Sequence, residues 1–160
     1  MPTLTFETVV AASLAKVWAS HEDILGAIPA LSPPANGVKV ESADLPPRAG
    51  TRVVLTARGP LGRRIRWVAV YVEHRPPGPA GESAAFVDEQ ESGPFAAWRH
   101  EHLFTRIDES STRLTDRITY RVPLGPVGWI ADQLFVRRQL RAMFRHRHEV
   151  TRRLLTEQQA

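Results

Sequence analysis

The sequence predicts an α+β protein in which a seven-stranded antiparallel sheet wraps around a long C-terminal helix, with two short helices after the first strand. Six consecutive segments between residues 38 and 122 alternate apolar and polar side chains and are separated by short turn compositions, which favours an antiparallel meander. The segment after residue 128 instead repeats its apolar side chains at helical spacing. A helix of this kind can cover one face of the sheet.

The elements follow in order along the chain. The first strand leads into Ser13, which is placed as the N-cap of a short helix beginning at Leu14. A second short helix over 24–28 is expected to stop at Pro29, because proline disfavours helical backbone in the residue before it. The turn GPLG at 59–62 separates the third and fourth strands. The predicted strands are Leu4–Val10, Val38–Ala43, Thr51–Arg58, Arg64–His74, Ser83–Gln90, Ala96–Ile107 and Thr112–Val122.

The longest predicted element is one amphipathic helix over Trp129–Leu155, after a turn at 124–128. Its many arginines are typical of a solvated face, while Arg137 and Arg147 fall within the apolar arc and are expected to extend along apolar surface or reach an interior carboxylate. His146 and His148 point in different directions on a helix, so both are expected to be peripheral. The apolar face comprises Ile130, Leu134, Leu140, Met143, Phe144, Leu154 and Leu155.

Length and composition bound the function. A chain of 160 residues is predicted to form one domain over 1–160, and the absence of cysteine excludes disulfides and cysteine-based zinc sites. The net charge of +4 supports at most weak contact with a membrane surface, and no motif for specific nucleic-acid binding is found. No apolar run suits a transmembrane segment, and the N-terminus lacks a signal-peptide pattern, so a cytoplasmic location is expected. The oligomeric state is left open.

The candidate site lies on the predicted inner face of the sheet, where polar groups accompany aromatic ones. Since side chains alternate along a strand, the inward set of the last three strands is Phe86, Asp88, Gln90, Trp98, His100, His102, Phe104, Asp116, Ile118 and Tyr120. Hairpin turns centred on Gly93 and on 109–110 would place Asp88 opposite His100 and His102 opposite Asp116. Gln90 and Tyr120 are expected beside these four residues.

Three interpretations of this cluster are open. The carboxylates and imidazoles can form a satisfied buried network, or they can orient the polar end of an apolar ligand. Alternatively, His100 or His102 acts as a proton shuttle, with Asp88 or Asp116 orienting it and Tyr120 as an acid. Two nitrogens and a carboxylate could also hold a metal, but each histidine already has a carboxylate partner, so neither a metal nor another cofactor is expected.

Three stretches of the sequence resemble a known family. FVDEQESGPFAAWRHEHLF at 86–104, TRLTDRITYRVPLGPVG at 112–128 and ADQLFVRRQLRAMFRHRHEVTRRLL at 131–155 are similar to bacterial members of the START-like, SRPBCC superfamily, relatives of polyketide cyclases and the CoxG group. The first strand followed by SLAKVW is also similar to the start of proteins in this family. The resemblance implies the helix-grip fold of birch pollen allergen-type proteins, with a cavity for hydrophobic molecules between the sheet and the last helix. The iron-ligand pattern of the ring-hydroxylating relatives is absent from this sequence.

The resemblance and the inner-face residues together give two functional expectations. In the preferred one, the protein is a carrier or sensor of a small lipid- or polyketide-like molecule, which also contacts Leu140 and Phe144 of the last helix. In the alternative, the protein is a cyclase, dehydratase or hydrolase that acts on such a ligand through a histidine–carboxylate pair. The family supplies no established catalytic residue at these positions, and fold analogy alone does not choose between the two.

Overall fold

The computed structural model describes residues 1–59 and 62–157, so part of the predicted 59–62 turn and residues 158–160 lie outside the described residues. Seven strands form one antiparallel sheet in the order β1-β7-β6-β5-β4-β3-β2, which confirms the predicted sheet. Each consecutive pair from β2 to β7 is joined as a meander, and β1 closes the edge beside β7. The strands are β1 Thr3–Val10, β2 Lys39–Ala43, β3 Arg52–Arg58, β4 Arg64–Arg75, β5 Ser83–Ser92, β6 Ala97–Arg106 and β7 Thr112–Arg121.

The helices are α1 Leu14–Glu22, α2 Ile24–Ala30, α3 Gly125–Ala131 and α4 Arg137–Glu157. The helix α2 ends one residue beyond Pro29, where the helix was expected to stop, and Asp23 caps its start by accepting a hydrogen bond from the Gly26 N–H at 3.1 Å. Among the described residues, no helix is both long and apolar enough to span a membrane.

The C-terminal helical region is interrupted, which corrects the prediction of one continuous helix. The predicted turn at 124–128 is largely the first part of α3, since only Leu124 and Gly125 turn the chain there, with left-handed φ of 73° and 52°. A π-helical turn over Asp132–Val136 then separates α3 from α4. An extra residue in one turn rotates the helix before it by roughly 100° relative to the helix after it. Ile130 and Leu134, predicted on the apolar face, are therefore exposed.

The interior formed by the described residues has two aromatic clusters with polar residues between them. One is built around Trp18, Phe86 and Phe104, under α1. The other joins the sheet to α4 through Trp98, Tyr120, Phe144 and their neighbours. The imidazole of His102 stacks on Phe86 at 3.9 Å between ring centres, and that of His100 meets Phe144 edge-on at 5.0 Å. The two histidines thus lie where the clusters meet.

Candidate functional site

The strand register places the predicted polar residues as expected from the sequence. Asp88 is directly opposite His100 in the β5–β6 pair, and His102 is directly opposite Asp116 in the β6–β7 pair. All four side chains face the interior, and His100, His102 and Asp116 are buried. The alternation of β6, with its tryptophan face inward, and the short hairpins were therefore sufficient to locate this cluster.

The hydrogen bonds within the cluster run diagonally rather than directly across the strands. His100 Nε2 donates to Asp116 Oδ1 at 2.8 Å, and His102 Nε2 donates to Asp88 Oδ2 at 3.2 Å. His102 Nδ1 also lies 3.1 Å from Asp116 Oδ1, but without the alignment of a hydrogen bond. Diagonal neighbours are within reach because imidazole side chains are long enough to span the offset. The four residues form one interlocked network.

A fifth residue, His148 of α4, belongs to this network, which corrects the expectation that it is peripheral. Its Nε2 donates to Asp116 Oδ2 at 2.6 Å, and the imidazole is buried. The sequence did contain a signal for this position, because His148 follows Leu140 and Phe144 at four-residue spacing on the buried stripe of α4. Asp116 therefore links the last strand of the sheet to the last helix.

The electrostatics keep both carboxylates ionised. Burial opposes ionisation of Asp116, but the imidazoles of His100, His102 and His148 outweigh it and hold the pKa of this carboxyl well below its ordinary value. The pKa of Asp88 is likewise lowered, since the interactions with His102 and His100 exceed the cost of burial. Burial and the neighbouring His102 lower the pKa of His100 to about 4. His100 is thus a neutral imidazole at physiological pH.

Tyr120 and Gln90, predicted beside the cluster, are engaged elsewhere. Tyr120 donates its hydroxyl to Asp132 Oδ1 at 2.6 Å, and Arg137 donates to the other oxygen of that carboxylate at 2.9 Å. Burial, followed by this hydrogen bond, raises the pKa of Tyr120 to about 12. Gln90 holds the β5–β6 turn by donating to the Phe95 carbonyl and accepting from the Phe95 N–H. Of the two alternatives expected for Arg137, the structure shows the second, contact with a buried carboxylate.

Another group of polar side chains lies between α1 and α4. The second basic residue of the apolar arc, Arg147, is half-buried and makes no ion pair within the described part of the chain. Its positive charge acts on Asp88 and on His21. Burial, reinforced by Arg147, lowers the pKa of His21 to about 3, and its Nε2 has no hydrogen-bond partner among the described residues. Because His21 Nδ1 donates to the Val17 carbonyl at 2.9 Å, the neutral ring leaves Nε2 as a free acceptor, whereas Arg147 Nε is a donor without a partner in the described part of the chain.

The predicted ligand-binding residues are packed against one another, and other residues line the clefts. A cleft of about 630 Å³ lies beside the contact between β1 and the C-terminal helical region, and its walls are Phe6, Gln133, Leu134, Arg137, Arg138, Arg141 and Arg145. A second cleft of about 380 Å³ lies beside the β7–α3 turn, between Pro2, Ala96, Trp129 and Asp132. Phe6 stacks on Phe144 at 5.1 Å, so this aromatic pair separates the larger cleft from the histidine network.

Solved structures with the same fold were found over nearly the whole chain. A protein of Thermus thermophilus is 18% identical, with a TM-score of 0.70, and the alignment covers 99% of this chain and 100% of that one. A START superfamily protein of Mycobacterium smegmatis is 14% identical, with a TM-score of 0.66 and 97% of both chains covered. A point mutant of norcoclaurine synthase from Thalictrum flavum, in complex with a transition-state analogue, is 16% identical, with a TM-score of 0.69 and coverage of 99% and 96%.

No family model and no curated protein sequence matches the chain. The structural similarity establishes the fold, and the chain has the START-like helix-grip fold that the resemblance implied. At such low sequence identity, the structural similarity does not show that this chain shares an activity or functional residues with those proteins.

Proposed function

We propose that the protein binds a small hydrophobic molecule with an anionic group, as a carrier or sensor, in the cleft between β1 and the C-terminal helical region. The observation that carries the proposal is the lining of this cleft, in which Phe6 and Leu134 accompany four arginines. Its volume of about 630 Å³ lies within the ordinary range of ligand pockets. In the same fold, norcoclaurine synthase from Thalictrum flavum was solved in complex with dopamine and hydroxybenzaldehyde, which supports a small organic ligand.

The arginines of the cleft favour an acid over a neutral ligand. Arg137 is already paired with Asp132, whereas Arg138 and Arg141 are exposed and have no ion pair in the described part of the chain. Guanidinium groups bind carboxylates and phosphates with two parallel hydrogen bonds, so unpaired arginines around an apolar floor select an amphiphilic anion. Displacement of the Phe6–Phe144 pair would extend the cleft inward, toward the residues predicted to contact a ligand.

Dodecanoate, below its micellar concentration, is a suitable probe of this proposal. We expect binding with a Kd on the order of 1–100 μM, and binding of dodecanol at least about tenfold weaker, because the alcohol does not pair with the arginines. The Arg141→Gln variant should lose most of this preference for the acid. Isothermal titration calorimetry measures the affinities of both ligands for both proteins.

The control is Arg153→Gln, which removes an exposed arginine of α4 outside the cleft and should leave dodecanoate affinity unchanged. Equal affinity for acid and alcohol, or no binding of either, would contradict the proposal.

An exposed apolar surface next to the cleft supports the idea that the ligand enters the cleft from a membrane. Six large apolar residues around α3 and the π-helical turn, which we call the apolar rim, are between 52% and 77% exposed. They are Leu124, Val127, Trp129, Ile130, Leu134 and Phe135. From residue 121 to 148 the only acidic residue in the sequence is Asp132, which is buried and paired with Arg137. The arginines beside the rim therefore have no exposed acidic neighbour within this stretch of sequence. We infer that the rim contacts an anionic bilayer, because a second copy would bring the same positive charges together.

Vesicle sedimentation tests the membrane contact. The protein should bind phosphatidylglycerol vesicles at low salt, with much weaker binding to phosphatidylcholine vesicles or in 0.5 M salt, since screening removes the attraction of the arginines. The double variant Trp129→Ser, Phe135→Ser should bind at least about tenfold more weakly, because both side chains lose burial in the interface. Leu25→Ser, which changes an exposed apolar residue of α2, is the control. Equal vesicle binding by both variants, or a rim-dependent dimer that does not bind vesicles, would overturn the inference.

A second candidate function is an enzyme of the cyclase, dehydratase or hydrolase type. It is favoured by the neutral His100, which donates from Nε2 to Asp116 and keeps Nδ1 without a hydrogen bond to the described residues, so that this nitrogen can accept a proton. On this hypothesis His100→Gln should abolish turnover of a bound substrate and spare its affinity. Equal loss of turnover and affinity, or retained turnover, would reject the catalytic role.

A further inference from the structure

Asp88 and the two histidines of β6 present three potential ligand atoms to one small volume. His102 Nε2 lies 3.2 Å from Asp88 Oδ2, His100 Nδ1 lies 3.6 Å from the same oxygen, and the ligand atoms are all within 4.8 Å of one another. In a tetrahedral site with Zn–N and Zn–O bonds of about 2.05 Å, ligand atoms are roughly 3.3 Å apart. The distances of 3.2 Å and 3.6 Å lie on either side of that spacing.

The outer nitrogens of both histidines face one carboxylate. His100 Nε2 donates to Asp116 Oδ1 at 2.8 Å, and His102 Nδ1 lies 3.1 Å from the same oxygen. The Asp116 carboxylate is held in place by His148 of α4, which donates to its other oxygen. Metal-binding histidines almost always direct their second nitrogen at a carboxylate, a carbonyl or water, which fixes the ring orientation. For His100 the outer-shell hydrogen bond is therefore already made, and for His102 the same carboxylate oxygen is nearby but not yet aligned.

The charge of the cluster also favours a cation. Two carboxylates lie in the interior on either side of His100, 3.6 Å from its Nδ1 and 2.8 Å from its Nε2, and the side chain of Asp88 is only 13% exposed. The positive charge of Arg147 on α4 acts on Asp88, but a single guanidinium does not balance two carboxylates. A divalent ion at the three ligand atoms would neutralise both, which lowers the cost of keeping them buried.

We propose that Asp88, His100 and His102 bind one divalent transition-metal ion, with Asp116 and His148 as positioning residues. The ion is held by Asp88 Oδ2, His100 Nδ1 and His102 Nε2, and the single proton of the His102 imidazole then lies on Nδ1, facing Asp116. This set of two imidazoles and one carboxylate suits Zn²⁺ and leaves a fourth position for an external ligand. This metal site is separate from the cleft between β1 and the C-terminal helical region, because Phe6 and Phe144 lie between the two. It replaces the expectation that the protein holds no metal.

Titration of chelator-treated protein with Zn²⁺, in competition with a chromophoric chelator, tests the site. We expect one Zn²⁺ per chain, and a loss of affinity of about 100-fold or more in His100→Ala and in His102→Ala. Asp116→Asn should lose about 10–100-fold, as is typical when an outer-shell partner is removed. His146→Ala is the control, since this histidine of α4 is not part of the network, and it should bind Zn²⁺ as the unchanged protein does.

A second set of measurements distinguishes the loss of a metal ligand from the loss of folding in the variants. The Co²⁺ complex of the unchanged protein should give the intense visible absorption of a four-coordinate site with nitrogen ligands, and circular dichroism identifies which variants remain folded. Retained Zn²⁺ affinity in folded His100→Ala or His102→Ala, or no stoichiometric binding by the unchanged protein, would overturn the proposal. Dodecanoate binding in the cleft does not depend on the ion, so the two proposals can fail separately.

Discussion

Replacing Asp116 by alanine should destabilise the protein by about 3–5 kcal/mol, the cost typical of breaking a buried, paired charge. The Asp116 carboxylate is fully buried and accepts hydrogen bonds from His100 on β6 and His148 on α4. Its removal leaves both imidazole donors without a partner in the interior and also cuts a direct link between sheet and helix. Urea unfolding followed by circular dichroism measures the free energy of unfolding.

The matched control for Asp116 is Glu101→Ala. Glu101 lies on the outer face of β6 and forms one surface ion pair with Arg117 at 3.6 Å, so its loss should cost less than about 1 kcal/mol. The variant Asp116→Asn, which keeps the shape and one acceptor oxygen, should fall between the two. A loss below about 1 kcal/mol for Asp116→Ala would show that the carboxylate does not hold the helix against the sheet.

Replacing Gly128 by alanine should destabilise the protein by about 2–3 kcal/mol or more, although alanine ordinarily favours helices. Gly128 is buried in α3, and a Cβ atom there would overlap the Pro123 carbonyl oxygen and lie 2.9 Å from its carbonyl carbon. Both atoms are backbone at the end of β7, so the helix itself must move away. We expect faster amide hydrogen exchange over 125–136 together with the fall in stability.

Gly78→Ala is the control for this substitution. Gly78 lies in the loop between β4 and β5, and a Cβ atom there has no neighbour within 4 Å, so the stability should change by less than about 0.5 kcal/mol. If Gly128→Ala is as stable as the unchanged protein, α3 does not lie as close to the end of β7 as described. The position of the apolar rim would then be wrong as well.

The sheet and the centre of the candidate site could be predicted because strands obey a strict period of two. With the β6 tryptophan on the inner face, His100 and His102 must also face inward, and the two hairpins then place Asp88 and Asp116 beside them. The direction of the hydrogen bonds could not be predicted, because direct and diagonal neighbours are both within reach of an imidazole.

The C-terminal helical region was less predictable, because one irregular turn decides which of its side chains face the core. A continuous helix from Trp129 would place Ile130 and Leu134 on the core side, but the π-helical turn at 132–136 rotates them to the surface. The helical spacing of His146 and His148 does not predict the role of His148, because its partner Asp116 lies on the sheet and not on the same helix. Its pairing with Asp116 depends on how α4 crosses the strands.

Chemical-shift mapping of ¹⁵N-labelled protein titrated with dodecanoate tests most directly that the cleft between β1 and the C-terminal helical region is the ligand site. The largest amide shifts should cluster at Phe6 on β1, at Leu134 in the π-helical turn and at Arg141 on α4, which together line the cleft. Shifts scattered over the outer face of the sheet, or concentrated on β2 and β3 at its far edge, would contradict this assignment.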